Sequence, residues 1–192
     1  SVHGASPNLL QNGGFEFSGA KGRAADGWSV ALPSEVTCVS DSAVFRSDRA
    51  SLKLSSPDSV PVSWFTVARN VTPLKPGATY TLSAWIRTEG VRDGAGAYLS
   101  LNFFTAAGRR LPFFDSPSKA TGTGDWRRLT ASGQVPQEAA EMKAILCLHG
   151  HGTAWFDDAQ VEIGNTATEY QPSASDLQRR AHDETEARNA AT

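Results

Sequence analysis

Cysteine and methionine are scarce, with two cysteines, Cys38 and Cys147, and one methionine in 192 residues. The two cysteines form no CxxC or Cys/His spacing, which excludes a thiolate zinc site. Two readings stay open for them: one disulfide in an exported protein, or two thiols acting as small buried hydrophobes. Neither sign of charge is in excess, since 18 Lys+Arg against 20 Asp+Glu leaves a net charge of −2. That balance favours no polyanionic partner, and no nucleic-acid role is expected. Long apolar runs are missing, none approaching the roughly 20 residues needed to cross a bilayer, so no membrane partner is expected. Ser1 to Asn8 has neither the basic nor the apolar region of a signal peptide, and the expectation is an exported chain whose signal has been removed. There is no GxSxG elbow, P-loop or HExxH, and no pair among Glu35, Asp48, Glu89 and Asp115 stands out as acid and base.

What the sequence does have is period-two alternation. In 80–87, Tyr80, Leu82, Ala84 and Ile86 point one way and Thr81, Ser83, Trp85 and Arg87 the other. Leu99, Leu101 and Phe103 likewise oppose Ser100, Asn102 and Phe104, and Phe65 and Val67 oppose Trp64 and Thr66. Further alternating or apolar segments lie at 28–32, 35–39, 51–55, 126–132, 142–149 and 154–163. Asn12-Gly13-Gly14, Asp26-Gly27, Lys75-Pro76-Gly77, Arg92-Asp93-Gly94 and Gly122-Thr123-Gly124-Asp125 read as turns between them. About ten short strands at this spacing predict an all-β sandwich of two antiparallel sheets. From Ser173 onwards the chain is charged and Ala-rich with a thin apolar stripe of Leu177 and Ala181. The expected division is a sandwich over 1–170 and a charged helical linker or tail over 171–192.

Five strings carry a family resemblance: Asn8-Leu-Leu-Gln-Asn-Gly-Gly-Phe-Glu16 followed by Trp28, Ser51-Leu-Lys-Leu54, Leu74-Lys-Pro-Gly-Ala-Thr-Tyr-Thr-Leu-Ser-Ala-Trp85, Gly124-Asp-Trp-Arg-Arg-Leu129, and Ala154-Trp-Phe-Asp-Asp-Ala-Gln-Val161. In this order they resemble carbohydrate-binding modules of the family 4, 9 and 22 type. The resemblance covers roughly Asn8 to Ile163, and it is the order of the strings that makes it specific. It implies a galactose-binding-domain-like jelly roll attached to a secreted or cell-surface bacterial glycoside hydrolase or related enzyme. The implied function is non-catalytic: the module targets that enzyme to a polysaccharide or oligosaccharide. The alternative is a structural β-sandwich that packs on a catalytic domain without binding sugar, and a third reading is a lyase or hydrolase on the same scaffold.

The resemblance also implies a structural Ca²⁺, with the Glu16 side chain, the Gly14 and Lys53 carbonyls, and Asp157 or Asp158 as ligands. Hard oxygen donors in this mixture suit calcium. Alternation would send the two aspartates to opposite faces, leaving the choice between them open. The outward residues Trp64, Trp85, Arg87, Asn102, Phe104, His149 and His151 form the candidate sugar face, because sugar C–H faces stack on aromatic rings while hydroxyls suit Asn and Arg. For each, the competing reading is a surface or packing role. Trp28, Trp126 and Trp155 read as structural. His149-Gly150-His151 with Asp157 invites a metal reading but lacks a third ligand at a recognised spacing, so two polar histidines are the expectation. The segments 90–96, 106–120 and 149–153 are expected to rim the site and set selectivity.

Overall fold

A computed structural model describes residues 7–19 and 25–192. Its strands are β1 (Ser29–Val30), β2 (Thr37–Asp41), β3 (Ser51–Ser56), β4 (Trp64–Asn70), β5 (Thr79–Phe104), β6 (Phe114–Asp115), β7 (Gly122–Gln134) and β8 (Glu141–Ile163), followed by the helix α1 (Ala174–Ala190). All pairings among them are antiparallel.

The two long strands, β5 and β8, each serve both layers of the sandwich. In the first layer, residues 141–149 of β8 lie between β4 and residues 96–104 of β5, with β1 and β6 at the outer positions. In the second, residues 152–163 of β8 lie between β3 and residues 79–89 of β5, with β2 and β7 outside them. This is the all-β sandwich that the alternation predicts, in the jelly-roll form that the resemblance implies.

Glycine makes the crossing between layers possible. A Cβ on Gly94 would stand 2.4 Å from the His149 carbonyl oxygen, one on Gly150 2.3 Å from that of Arg92, and one on Gly152 2.5 Å from that of Gly90. Backbones this close admit no side chain, and Gly150 and Gly152 also hold positive φ angles of 120° and 111°. The Arg92-Asp93-Gly94 string is thus part of a continuous strand rather than the turn its composition suggests. Gly122-Thr123-Gly124-Asp125 is also strand, the start of β7.

The inward sets of the alternation meet between the layers. Phe65, Val67, Leu99, Leu101, Phe103, Leu146 and Leu148 pack against Leu52, Leu54, Leu82, Ile86, Leu129 and Phe156 in one buried cluster. Full burial of each such side chain is worth about 1.5–3 kcal/mol. Cys38 is on β2 and Cys147 on the 141–149 run of β8, both as free thiols. Burial pushes their pKa values up to about 12 and about 11, respectively, which keeps both protonated and unreactive.

The chain after β8 stays on the sandwich. Glu162 accepts from the Thr168 backbone N–H at 3.0 Å, Gln160 accepts from that of Gln171 at 2.9 Å, and the Gln171 carbonyl accepts from Asn8 Nδ2 at 2.9 Å. Helix α1 opens on Ser173, whose hydroxyl accepts from the Asp176 N–H. Polar contacts pin the helix: Asp176 accepts from the Asn12 N–H at 2.8 Å, while Arg179 reaches Asp26 at 2.8 Å and Arg180 reaches Asp48 at 3.0 Å. The helix adds no side chain to the apolar core.

Candidate functional site

The outward sets of the first layer build a cleft of about 620 Å³. β4 presents Trp64 and Thr66, β5 presents Tyr98, Ser100, Asn102 and Phe104, and β8 presents Ile145 and Cys147. The 106–120 segment closes one side with Arg110, Phe113 and Asp115. Trp64 is 64% exposed yet held in place, because its ring stacks on His149 with centroids 4.4 Å apart and planes at 10°. His149 is fixed in turn, its Nδ1 accepting the Ala95 N–H at 2.8 Å. The result is a flat aromatic platform beside a polar floor, an arrangement that can stack a pyranose ring and hydrogen-bond its hydroxyls.

Asn102 is buried, donating from Nδ2 to Ser100 Oγ at 2.6 Å and accepting from Arg110 Nε at 3.1 Å. Phe104 carries Lys143 Nζ 5.0 Å from its ring centroid. Trp64, Asn102, Phe104 and His149 therefore gather at one place.

The other three candidates do not share that face. Trp85 and Arg87 point outward from the second layer, since period two fixes which side a side chain takes but not which layer its strand joins. The Arg46 guanidinium covers the Trp85 ring at 3.7 Å, and Arg87 stands 3.8 Å from Asp125 on the surface. His151 is withdrawn, because Gly150 rotates the strand between the two histidines. Its Nδ1 meets Asp93 at 2.8 Å and its Nε2 the Val60 carbonyl at 2.7 Å. Asp58, Asp93 and His151 are, among the described residues, a group whose ligand atoms lie within 4.8 Å of one another, and Arg92 is paired with both aspartates. Asp157 is not part of it.

The 106–120 segment does rim the cleft as expected, through Arg110, Phe113 and Asp115, while Thr66, Tyr98, Ser100, Ile145 and Cys147 line it without having been named as site residues. Tyr98 follows from the 99–103 alternation extended by one residue. Arg110 and Phe113 come from irregular chain, where no periodicity assigns a direction.

Asp157 and Asp158 sit at a β-bulge, where the pairing with β5 shifts between Ser83/Gln160 and Trp85/Asp157 and Asp158 takes a φ of 49°. Both carboxylates consequently engage one loop instead of opposite faces. Asp157 accepts from the Arg46 and Ser47 N–H groups at 2.8 and 3.2 Å, while Asp158 meets the Arg46 guanidinium at 2.7 Å and the Ser47 hydroxyl at 2.6 Å. Burial, reinforced by the charge of Asp158, pushes Asp157 up to about 8. Burial also raises Glu16, whose oxygens accept from the Arg49 and Ala50 N–H groups. Glu16 also pairs with Arg49 at 3.6 Å, an arginine whose side chain is 74% exposed. Glu16, paired with a largely solvent-exposed arginine, and Asp157, held by backbone N–H groups, are oxygen donors whose chemistry fits a calcium ion. Asp158 is already balanced by Arg46. Lys53 extends its amine over Trp155, 5.6 Å from the ring centroid, and its backbone lies mid-strand between Val39 of β2 and Trp155 of β8. Gly14 is close-packed, a Cβ there meeting the Tyr170 hydroxyl at 2.8 Å.

The solved structures most like this one include carbohydrate-binding modules. The C-terminal family 22 module of Clostridium thermocellum Xyn10B superposes with a TM-score of 0.62 at 19% identity, over 86% of this chain and 98% of that one. The CBM22-1 xylan-binding domain of Paenibacillus barcinonensis Xyn10C gives 0.61 at 12% identity, over 85% and 98%.

The fold is a jelly-roll β-sandwich like that of these modules.

A module of this kind fused to a catalytic unit, the CBM22-1 and GH10 portion of C. thermocellum Xyn10B complexed with xylohexaose, gives 0.63 at 15% identity over 86% of this chain and 30% of that one. Sequence comparison finds the tRNA(Glu)-specific nuclease WapA of Bacillus subtilis subsp. natto at 27% identity over 181 residues, and the tRNA nuclease WapA of B. subtilis at 26%. The chain spans only 7% of the length of each of those relatives. No protein-family model matches the sequence.

Proposed function

We propose that this chain is a non-catalytic carbohydrate-binding module and that the cleft on the first layer is its sugar site. The observation that carries the reading is the position of Trp64, a largely exposed indole held flat by His149 at the mouth of a cleft with a polar floor. A pre-formed platform orders few side chains on binding, so more of the stacking energy survives as affinity. Tethering such a module to an enzyme raises the enzyme's local concentration at the polysaccharide. The parent is a secreted or cell-surface protein of which this chain is one segment. Its catalytic partner is a glycoside hydrolase or another secreted enzyme, the similar proteins including both a xylanase and larger nucleases. Affinity electrophoresis on a panel of neutral and acidic polysaccharides tests the reading. Retardation by at least one polymer, lost in Trp64→Ala, supports it; no retardation by any polymer leaves the structural-accessory role.

A structural calcium ion belongs to the same proposal. Glu16 and Asp157, with the carbonyls of Gly14 and Lys53, would hold it. The ion would supply positive charge to these two carboxylates and cross-link the N-terminal segment, β3 and β8.

A further inference from the structure

Most of the aromatic rings lining the cleft carry a cation. The Arg110 guanidinium lies 3.9 Å from the Phe113 centroid, Lys119 Nζ 4.8 Å from that of Tyr98, and Lys143 Nζ 5.0 Å from that of Phe104. Trp64 alone of the four lining aromatics has none among the described contacts. A ring face covered by a cation offers a positive, hydrated surface instead of a bare stacking surface.

Arg110 is also aimed. Ser100 accepts from Asn102, Asn102 accepts from Arg110 Nε, and Phe113 lies under the guanidinium plane, so two directions of contact fix the group. Among the described residues its Nη donors have no hydrogen bond or ion pair. A planar, fixed fork with unspent donors is the group that pairs bidentately with a carboxylate. Opposing charge is present: Asp115 lines the cleft, and Glu141 stands 3.8 Å from Lys143. Within the lining Arg110 is set against Asp115, while Lys119 and Lys143 stand beside the cleft over the rings of Tyr98 and Phe104.

Building on the sugar-site reading above, we propose that the cleft takes a glycan bearing carboxylates, a uronic-acid-containing polysaccharide, and that Arg110 receives the carboxylate while Trp64 stacks a neighbouring ring. Lys119 and Lys143 add attraction without fixed geometry.

The test compares one polymer before and after its carboxyl groups are reduced to alcohols. Polygalacturonate, alginate and glucuronoxylan are each titrated in both forms, with dextran sulfate as an unrelated polyanion. The account expects at least one uronate polymer to bind, to weaken about tenfold or more on carboxyl reduction, and to weaken similarly in Arg110→Gln, with partial recovery in Arg110→Lys. Thermal melts of both variants should fall by a few degrees at most, because Arg110 is exposed although its Nε bonds the buried Asn102. Equal binding of native and reduced polymers overturns the carboxylate assignment while leaving the sugar site intact. Equal binding of dextran sulfate overturns it as a general charge effect. Binding of none of these polymers, nor of neutral xylan, removes the sugar site and this assignment together.

Discussion

Trp64 and His149 lie face to face across β4 and β8, where they are register partners, with ring planes 10° apart. Pairing of this kind turns an exposed indole into a rigid surface, because the second ring restricts both side-chain torsions. Replacement of His149 by Ala should therefore leave the indole in place but mobile. Sugar affinity should fall by about 0.5–1 kcal/mol with little change in melting temperature, less than the loss on removing Trp64 itself. Calorimetric titration beside a melt reads both; an affinity unchanged in His149→Ala shows that the stack does not organise the site.

Arg46 serves a different purpose on the opposite layer. It covers Trp85 and neutralises Asp158, whose side chain is 1% exposed while that of Arg46 is 35% exposed. Arg46→Ala strips the buried carboxylate of its partner. The expected cost is about 2 kcal/mol of stability, below the usual range for a broken buried pair because the arginine is partly solvated. Urea unfolding measures it. A loss of sugar affinity at unchanged stability would instead move the binding face to this layer.

Both ring nitrogens of His151 face oxygen acceptors, Asp93 and the Val60 carbonyl, and only the imidazolium donates to both. The hydrogen bond to Asp93 leads in raising its pKa above 6.5. A histidine raised in this way stabilises the fold fully below the unfolded pKa, and that contribution is lost as pH climbs through the folded value. Melting temperature should consequently fall with rising pH above about 6.5, and more steeply in the parent than in His151→Gln. Parallel slopes would show that the protonated contact adds nothing.

Calcium, if held by Glu16 and Asp157, binds the folded state alone. At a hundredfold excess over Kd it adds about 2.7 kcal/mol. EDTA should lower the melting temperature, added calcium should restore it, and Glu16→Gln should be insensitive to both. A parent protein whose melt ignores chelation and calcium shows that the backbone N–H groups of residues 46–50 satisfy these carboxylates by themselves.

Much of the fold was legible because period two is a property of each strand alone. The inward sets of 80–86, 99–103 and 65–67 all reach the core as the alternation predicts. Layer membership was not legible. Trp85 and Asn102 stand on the same β5 with the same outward sense, yet on opposite layers, because the strand crosses at glycines whose role is apparent only when Gly94 meets His149. The bulge at Asp157 and Asp158 hid in the same way, since it depends on pairing with a partner strand. Of the cleft, Trp64, Asn102, Phe104 and His149 were readable, whereas Arg110 and Phe113 are placed by tertiary contacts of an irregular segment.

The central claim is that sugar binds on the first layer, and Trp64→Ala set against Trp85→Ala tests it most directly. Both are titrated with the polysaccharide that most retards the parent. Trp64→Ala should lose about 1–2 kcal/mol of binding and keep its melting temperature, because the ring is 64% exposed. Trp85→Ala should keep its affinity and melt earlier, because its ring packs under Arg46. The reverse pattern, affinity lost in Trp85→Ala and kept in Trp64→Ala, would contradict the account.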